Sequence, residues 1–179
     1  ARITHLEPFG AFADIGCGIV GLISIENISV SRISHPSDRF SVGDRIAVIV
    51  RRIDGEGRLY VTHRELLGTW EENAALFSPG QTVAGIIRSI ESYGVFVELT
   101  PNLAGLAEPK EGVTVNRSAA VFIKSIIPEK MKIKLVIIDS GAGEVFTPKQ
   151  TALHLPEGGH LSHWRYSPPC CPKIIETKF

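Results

Sequence analysis

The sequence has few cysteines and no long apolar run. Its three cysteines, Cys17, Cys170 and Cys171, are odd in number and badly spaced for a disulfide framework, so we expect a reducing compartment, the cytoplasm. No apolar stretch approaches the roughly 20 residues that cross a bilayer, and the N-terminus does not resemble a signal peptide. These absences predict a soluble chain without a membrane partner.

Neither sign of charge is in excess. Lys and Arg together number 19, and so do Asp and Glu. No overall basic field therefore attracts polyanions, and contact with a nucleic acid would depend on the local placement of charges and on stacking.

A catalytic pattern is also lacking. The six histidines are scattered, and no serine, cysteine or carboxylate pair accompanies them in a catalytic arrangement. His160, His163, Cys170 and Cys171 could be drawn together around zinc, but adjacent cysteines lack the usual two-residue gap of such sites. We predict no enzyme, no cofactor and no metal; the alternative for these four residues is a zinc set.

One aromatic signature occurs twice. Phe9-Gly10-Ala11-Phe12 is followed by Gly21-Leu22, and Tyr93-Gly94-Val95-Phe96 is followed by Gly105-Leu106, with every landmark shifted by 84 positions. Such a regular repeat indicates one structural unit used twice. Because the same offset places Ala1 opposite Gly85, we expect the first copy to lack the beginning of its first strand and the chain to be part of a longer protein. The alternative is that the edge strand that begins the first copy is simply shorter than its counterpart in the second.

Short runs rich in β-branched residues, broken by glycine or charge, predict strands in both copies. Five such strands, with an insert before the fourth, are typical of the Greek-key barrel called the OB-fold. We therefore predict an all-β protein of two tandem five-stranded OB-fold barrels joined by a short helix. The first copy's insert, residues 31–40, is predicted to hold one helical turn and a loop. The predicted strands are Ile3–Ile15, Val20–Ile25, Ile46–Ile53 and Leu59–Thr62, then Gly80–Ile90, Gly94–Leu99, Leu103–Ala107, Ala120–Ile127 and Met131–Ile138.

The predicted domains are 1–66 for the first barrel, 67–79 for a helical linker, 80–139 for the second barrel and 140–179 for an irregular extension. In the linker, Leu66, Trp70, Ala74 and Phe77 fall on one helical face, and Trp70 is either a packing anchor or a base-stacking residue. In the extension, Leu153–Pro156 and Leu161–Tyr166 predict a hairpin, with Trp164 or Tyr166 docked on the second barrel. The stretch 167–172 is expected to be poorly ordered.

The aromatic pair is the candidate binding feature. In a regular strand Phe9 and Phe12 would point to opposite faces, but a bulge or coil at Gly10 could bring both to one outer face. Exposed aromatics on a small barrel form a stacking platform for unpaired bases. The alternative is that both are core residues. An arginine such as Arg58 can stack on bases and bind phosphate, or it can simply pair with Asp54 at the surface.

These motifs carry a family resemblance. The segments Phe9–Gly16, Gly21–Ser24, Val42–Asp44, Ile53–Asp54 and Gly57–Leu59 closely resemble the S1 domain, an RNA-binding OB-fold that is repeated in the largest protein of the bacterial small ribosomal subunit and appended to several ribonucleases. The match spans nearly all of the first copy. The second copy resembles the family more weakly, and the extension does not.

The resemblance implies an RNA face built from two aromatics, a third-strand histidine, an Asp and an Arg. Ser24 replaces the histidine, which removes a ring but keeps a hydrogen-bonding group. In the second copy, Glu108 occupies the histidine position, and its carboxylate would repel phosphate. The aspartate position is occupied by Ile127 or Pro128, and the arginine position by Lys130 or Lys132. The RNA-binding residues implied are Phe9, Phe12, Ser24, Asp54, Arg58, Tyr93, Phe96, Lys130 and Lys132.

The sequence thus predicts a non-catalytic fragment that binds single-stranded RNA with little sequence preference, in translation or RNA metabolism. The partners implied are single-stranded RNA, including mRNA, and the ribosome; the oligomeric state stays open. A second hypothesis, favoured by the neutral net charge and Glu108, is a protein-binding or ribosome-docking module. A third is the substrate-holding part of a longer ribonuclease.

Overall fold

The computed structural model describes residues 1–141 and 151–179. Residues 142–150 of the predicted extension lie outside the described residues. Contacts within the described chain divide it into two units: residues 1–67, 153–164 and 177–179 form the first, and residues 68–141, 151–152 and 165–176 form the second.

The first unit is built on five strands, β1 (Arg2–Glu7), β2 (Gly10–Gly16), β3 (Ile19–Ser24), β4 (Ile49–Ile53) and β5 (Leu59–Thr62). They form a sheet in the order β1-β2-β3-β5-β4, in which β3 and β5 pair in parallel. The predicted run Ile3–Ile15 proves to contain two strands, separated by a turn at residues 8–9. At the outer edges, an isolated bridge joins Arg2 to Arg45.

The second unit repeats this order with β6 (Thr82–Glu91), β7 (Gly94–Thr100), β8 (Leu103–Ala107), β9 (Ser118–Ile127) and β10 (Lys132–Asp139). These strands form a closed barrel in the order β10-β8-β7-β6-β9. Pairing of Thr82–Ile86 with residues 118–122 closes it. The prediction of an all-β protein with two OB-folds and a short helix between them is confirmed.

The core of each barrel follows the two-residue period of its strands. In β2, Ala11 and Ala13 are fully buried whereas Phe12 between them is not, because successive side chains point to opposite faces. Burying each large apolar side chain stabilises the fold by about 1.5–3 kcal/mol. The first barrel's core comprises Ile3, Ala11, Ala13, Ile23, Ile28, Phe40, Leu59 and Val61.

The insert before β4 contains the predicted helical turn, a 3-10 helix at Pro36–Asp38. His35 caps it, since its ring accepts from the backbone N–H of Ser37 while the Asp38 carboxylate accepts from the backbone N–H of His35.

The linker contains the predicted short α-helix, and a 3-10 turn precedes it. A 3-10 helix covers Arg64–Leu67 and α1 covers Trp70–Ala74, separated by Gly68, whose φ of 88° lies in the left-handed region. Thr69 and Glu72 form a capping box at the start of α1. Trp70 is only 3% exposed, so the structure favours packing over base stacking for this ring.

The extension forms a different sheet from the one predicted. Strands β11 (His163–Arg165) and β12 (Glu176–Lys178) make a two-stranded sheet, so Leu161–Tyr166 does not pair with Leu153–Pro156. Beyond these strands, the Tyr166 N–H donates to the carbonyl oxygen of Ile175 at 2.8 Å.

Parts of the extension are packed. Within the stretch 167–172, for which the sequence predicted poor order, Ser167 and Cys171 are buried. Within the second unit, the buried Tyr166 hydroxyl donates to the carbonyl oxygen of Asn102. Tyr166 rather than Trp164 is therefore the aromatic residue that packs on the second barrel. Burial raises the pKa of the Tyr166 phenol.

Candidate nucleic-acid interface

Phe9 and Phe12 do share the outer face of the first barrel. Phe9 is 55% exposed, and its ring meets that of Phe12 edge to face, with centroids 6.1 Å apart and an interplanar angle of 89°. Phe9 lies in the turn between β1 and β2, so the alternation of strand side chains does not apply to it. The exposure of Phe9 excludes the alternative in which both rings are core residues.

Gly10 has a different role from the one the sequence suggested. The strand bulge lies at Thr4 in β1, where the register with β2 shifts between Ile3 and His5. A Cβ atom on Gly10 would overlap the carbonyl oxygen of Ile23 on β3. Gly94 is equally constrained, since its Cβ would lie 2.5 Å from the carbonyl oxygen of Ala107. Both glycines are therefore required by close backbone approach between neighbouring strands.

One residue from each of the five strands forms a continuous row across the outer face. His5 pairs with Phe12, Phe12 with Leu22, Leu22 with Tyr60, and Tyr60 with Arg52. None of the five is buried, in contrast to Ala11, Ala13 and Ile23 on the other face. We call these residues the first outer row: His5, Phe12, Leu22, Tyr60 and Arg52.

The predicted polar residues lie two positions along from this row. Ser24 follows Leu22 by two positions on β3 and therefore shares its face. Asp54 and Arg58 lie just beyond the ends of β4 and β5, and the Asp54 carboxylate accepts hydrogen bonds from the Arg58 guanidinium and the Tyr60 hydroxyl. Ser24 is half-buried, and its hydroxyl oxygen accepts a hydrogen bond from Nδ2 of Asn27 at 2.8 Å. The structure thus brings the first copy's predicted residues together on one face.

Arg58 is engaged by two carboxylates. Its Nε lies 2.8 Å from Oδ2 of Asp54 and its Nη2 lies 2.9 Å from Oε2 of Glu56. The side-chain hydrogen bond from Arg58, followed by the backbone N–H bond from the same residue, lowers the pKa of Asp54 to about 2. The pairing of Arg58 with Asp54, weighed as an alternative from the sequence, is present, and the Arg58 side chain is still 64% exposed.

Tyr60, Arg52 and His5 were not among the RNA-binding residues predicted from the sequence. The Arg52 guanidinium lies over the Tyr60 ring, with its central carbon 4.0 Å from the ring centroid, and the Tyr60 hydroxyl donates to Asp54 at 3.3 Å. The His5 and Phe12 rings meet edge to face at 6.5 Å. The two-residue spacing of Tyr60 from Arg58 was the available signal, but only the pairing of β5 with β3 places Tyr60 beside the aromatic pair.

The second barrel has a corresponding row of different chemistry. Tyr93 is 63% exposed and meets Phe96 edge to face at 6.2 Å, as in the first barrel. Lysine stands where the first row has tyrosine, and serines replace its histidine and arginine. The second outer row is Ser89, Phe96, Leu106, Lys134 and Ser125.

The strand pairing also resolves the alternatives left open for the second copy. Lys132 pairs with Ile127, two positions along the strands from the pair Lys134 and Ser125. Arg58 and Asp54 lie two positions from Tyr60 and Arg52 in the same way. Lys132 therefore corresponds to Arg58, and Ile127 to Asp54. Lys130 instead ends the 3-10 helix Pro128–Lys130, off the strands.

A groove on the second barrel carries mixed charge. Within it, Glu108 and Lys124 form an ion pair at 3.0 Å, so one acidic group offsets part of the lysine charge. Its lining includes Tyr93, Leu106, Glu108, Lys124, Lys132 and Lys134.

Residues 1–141 and 151–179 contain neither a metal-binding cluster nor a membrane-spanning helix. No cluster of three or more His, Cys, Asp or Glu side chains there could hold a metal ion. No helix within these ranges is long and apolar enough to cross a membrane.

Comparison with known proteins agrees with this geometry. Residues 1–64 match the S1 RNA binding domain. The small ribosomal subunit protein bS1 of Chlamydia trachomatis is 28% identical over 164 residues, which cover 89% of this chain and 29% of that protein. The bS1 homolog of Bacillus subtilis is 28% identical over 145 residues, covering 80% of this chain and 37% of that protein.

A protein with an enzyme name is similar as well. A 4-hydroxy-3-methylbut-2-enyl diphosphate reductase of Clostridium tetani is 32% identical over 140 residues, covering 77% of this chain and 22% of that protein. The chain thus spans well under half the length of each relative. Residues 1–64 are therefore similar to the S1 RNA binding domain, in a chain that is similar to small ribosomal subunit protein bS1 over most of its length.

Proposed function

We propose that this chain is a non-catalytic module that binds single-stranded RNA with little sequence preference, in translation or RNA metabolism in the cytoplasm. The match of residues 1–64 to the S1 RNA binding domain and the similarity to bS1 proteins support RNA as the ligand and the ribosome as a partner. Among RNAs, we propose mRNA. The net charge of zero implies modest affinity, because no long-range field adds to the local contacts.

The observation that carries the proposal is the exposed Phe9 and Phe12 pair. Aromatic stacking stabilises a bound base by about 1–3 kcal/mol and tolerates every base, since each has a π face. Arg58 lies on the same face with an exposed guanidinium that can reach phosphate or a base plane. Ser24 adds a hydroxyl, and Asp54 holds Arg58 in position. These are the RNA contacts of the first barrel.

The second barrel is proposed as a weaker RNA site. Tyr93 and Phe96 reproduce the aromatic pair, and Lys132 supplies positive charge. Glu108 lies in the same groove and repels phosphate. Lys130, which the sequence also suggested, contributes less because it lies in the 3-10 turn.

The test is the double variant Phe9→Ala/Phe12→Ala, titrated against a fluorescently labelled oligouridylate. Loss of two stacking rings should weaken binding at least ~10-fold. Val42→Ala is the matched control, since it removes another exposed apolar side chain of the first unit. Circular dichroism checks that each variant folds. Wild-type affinity in the double variant would overturn the proposal.

A protein-binding role is the second candidate. Three exposed apolar residues, Ile15, Ile19 and Val20, lie together around the β2–β3 turn of the first unit. A salt titration separates the two functions, because RNA affinity that depends on phosphate contacts rises as salt is lowered. If no RNA affinity is measurable even at low salt, the protein-binding function stands instead.

A further inference from the structure

We infer that Tyr60 and Arg52 form a second base-binding subsite on the first barrel, separate from the Phe9 and Phe12 platform. The inference rests on the proposed RNA-binding function and adds a place for another nucleotide on the same face. The two side chains are already stacked, with the guanidinium carbon 4.0 Å from the ring centroid. They lie at the β5 and β4 end of the first outer row.

Arg52 differs from Arg58 in its contacts with carboxylates. Arg58 has two carboxylate partners, Asp54 and Glu56, at 2.8 and 2.9 Å. Arg52 is exposed, and its guanidinium makes no ion pair with any residue of the described ranges. Its guanidinium therefore has the stronger attraction for phosphate. A guanidinium plane that rests on an aromatic ring on one side can also receive a base on the other.

The spacing of the strands separates the two platforms. Phe12 on β2 and Tyr60 on β5 are divided by Leu22 on β3. Neighbouring strands lie ~4.8 Å apart, so the two ring positions are about 10 Å apart. Stacked aromatic rings have centroids 4.5–7 Å apart. One base therefore cannot stack on both rings, and a strand that crosses the sheet must place different bases on them.

The subsite is particular to the first barrel. In the second outer row, Lys134 and Ser125 occupy the positions of Tyr60 and Arg52. A lysine offers a point charge but no ring, and the serine has no guanidinium plane. RNA bound to the second barrel has no equivalent stack there.

The experiment is an NMR titration of the whole chain with an oligouridylate, following the Arg52 Nε–H and the ring signals of Phe9, Phe12 and Tyr60. The expected result is that both groups of signals shift. Shifts at Phe9 and Phe12 without any at Arg52 or Tyr60 would overturn the subsite while leaving RNA binding intact. No shift at any of the four would overturn the proposed function itself.

Affinity measurements on variants give an independent readout. Arg52→Gln should weaken binding about 5- to 100-fold and reduce the slope of log affinity against log salt by about 0.7, the value for one phosphate on a single strand. Arg52→Lys should keep the wild-type slope of log affinity against log salt, because the positive charge is retained. Its RNA affinity should still decrease, because lysine lacks the planar guanidinium that stacks on a base. Lys173→Gln, which removes an exposed charge of the second unit, is the control.

The tyrosine is tested by a matched pair. Tyr60→Phe keeps the ring and loses only the hydroxyl bond to Asp54, so RNA affinity should be retained. Tyr60→Leu removes the ring and should weaken binding about as much as Arg52→Gln. Equal affinity of Arg52→Gln and wild type would overturn the inference even if Tyr60→Leu failed to fold.

Discussion

The Arg58 guanidinium donates to the Asp54 carboxylate at 2.8 Å, which ties together the turn between β4 and β5. The other carboxylate oxygen accepts the backbone N–H groups of Glu56 and Arg58, each at 2.9 Å. The Tyr60 hydroxyl donates to the same side chain. One carboxylate therefore shapes the turn and orients two side chains of the candidate RNA face.

Asp54→Asn should remove a pH dependence of stability. Hydrogen bonds lower the pKa of Asp54 to about 2, below its usual 3.8, so its contribution is present above about pH 4 and is lost as the pH falls towards 2. The melting temperature of the wild type should consequently fall more steeply than that of Asp54→Asn across this range. Glu157→Gln, at an exposed carboxylate of the same unit, should melt like the wild type, and parallel curves for wild type and Asp54→Asn would contradict the assignment.

Gly10→Ala should destabilise the first barrel by about 1–3 kcal/mol, because the added Cβ overlaps the carbonyl oxygen of Ile23 and the strands must shift. The measurement is the free energy of unfolding in urea. Gly55→Ala is the matched control, since its Cβ would have nothing within 4 Å. Equal stability of the two variants would show that β2 and β3 are not in close contact at Gly10.

His63 should make the first unit less stable below about pH 6.5. Burial lowers the pKa of its imidazole, and the Arg39 charge lowers it further, whereas the hydrogen bond to the Ala47 carbonyl and the Glu65 charge raise it. Because the pKa of His63 is lower in the folded chain, the unfolded chain takes up the proton first as the pH decreases. The free energy of unfolding therefore decreases as the pH is lowered. The melting temperature from pH 7.5 to 5.5 should drop less in His63→Gln than in the wild type.

The control for this prediction is His160→Gln, which removes an exposed imidazole of the same unit and should retain the wild-type profile. A His63→Gln profile as steep as that of the wild type would assign the pH dependence to another group.

Glu108→Gln should strengthen RNA binding by the second barrel. The change removes an exposed carboxylate from a groove lined by three lysines and releases Lys124 from its ion pair. Affinity for an oligouridylate should rise a few-fold at low salt, and the gain should shrink as salt screens the charges. Measuring it in the Phe9→Ala/Phe12→Ala background isolates the second barrel. Glu111→Gln, at another exposed carboxylate of that unit, is the control, and equal affinities of the two variants would remove Glu108 from the site.

The sequence by itself determined the fold class and the aromatic half of the candidate site. The 84-residue repeat and the β-branched runs are local patterns, and they predicted two five-stranded barrels because strand formation depends on side chains close in the chain. The recurrence of the aromatic pair likewise predicted a shared outer face. The proposed reason was wrong, since Phe9 escapes the alternation by lying in a turn, whereas Gly10 is required by the approach of β3.

Only the tertiary structure added Tyr60 and Arg52 to the candidate site. Tyr60 and Arg52 are distant in sequence from Phe12, and only the order β2-β3-β5-β4 aligns them in one row. The pairing of Lys132 with Ile127 likewise identified Lys132, and not Lys130, as the counterpart of Arg58. Alignment by the 84-residue offset left both lysines open because the loops of the two copies differ in length. A period of two residues fixes which face of its strand a side chain occupies, but the partner strand and the register are set by contacts between distant segments.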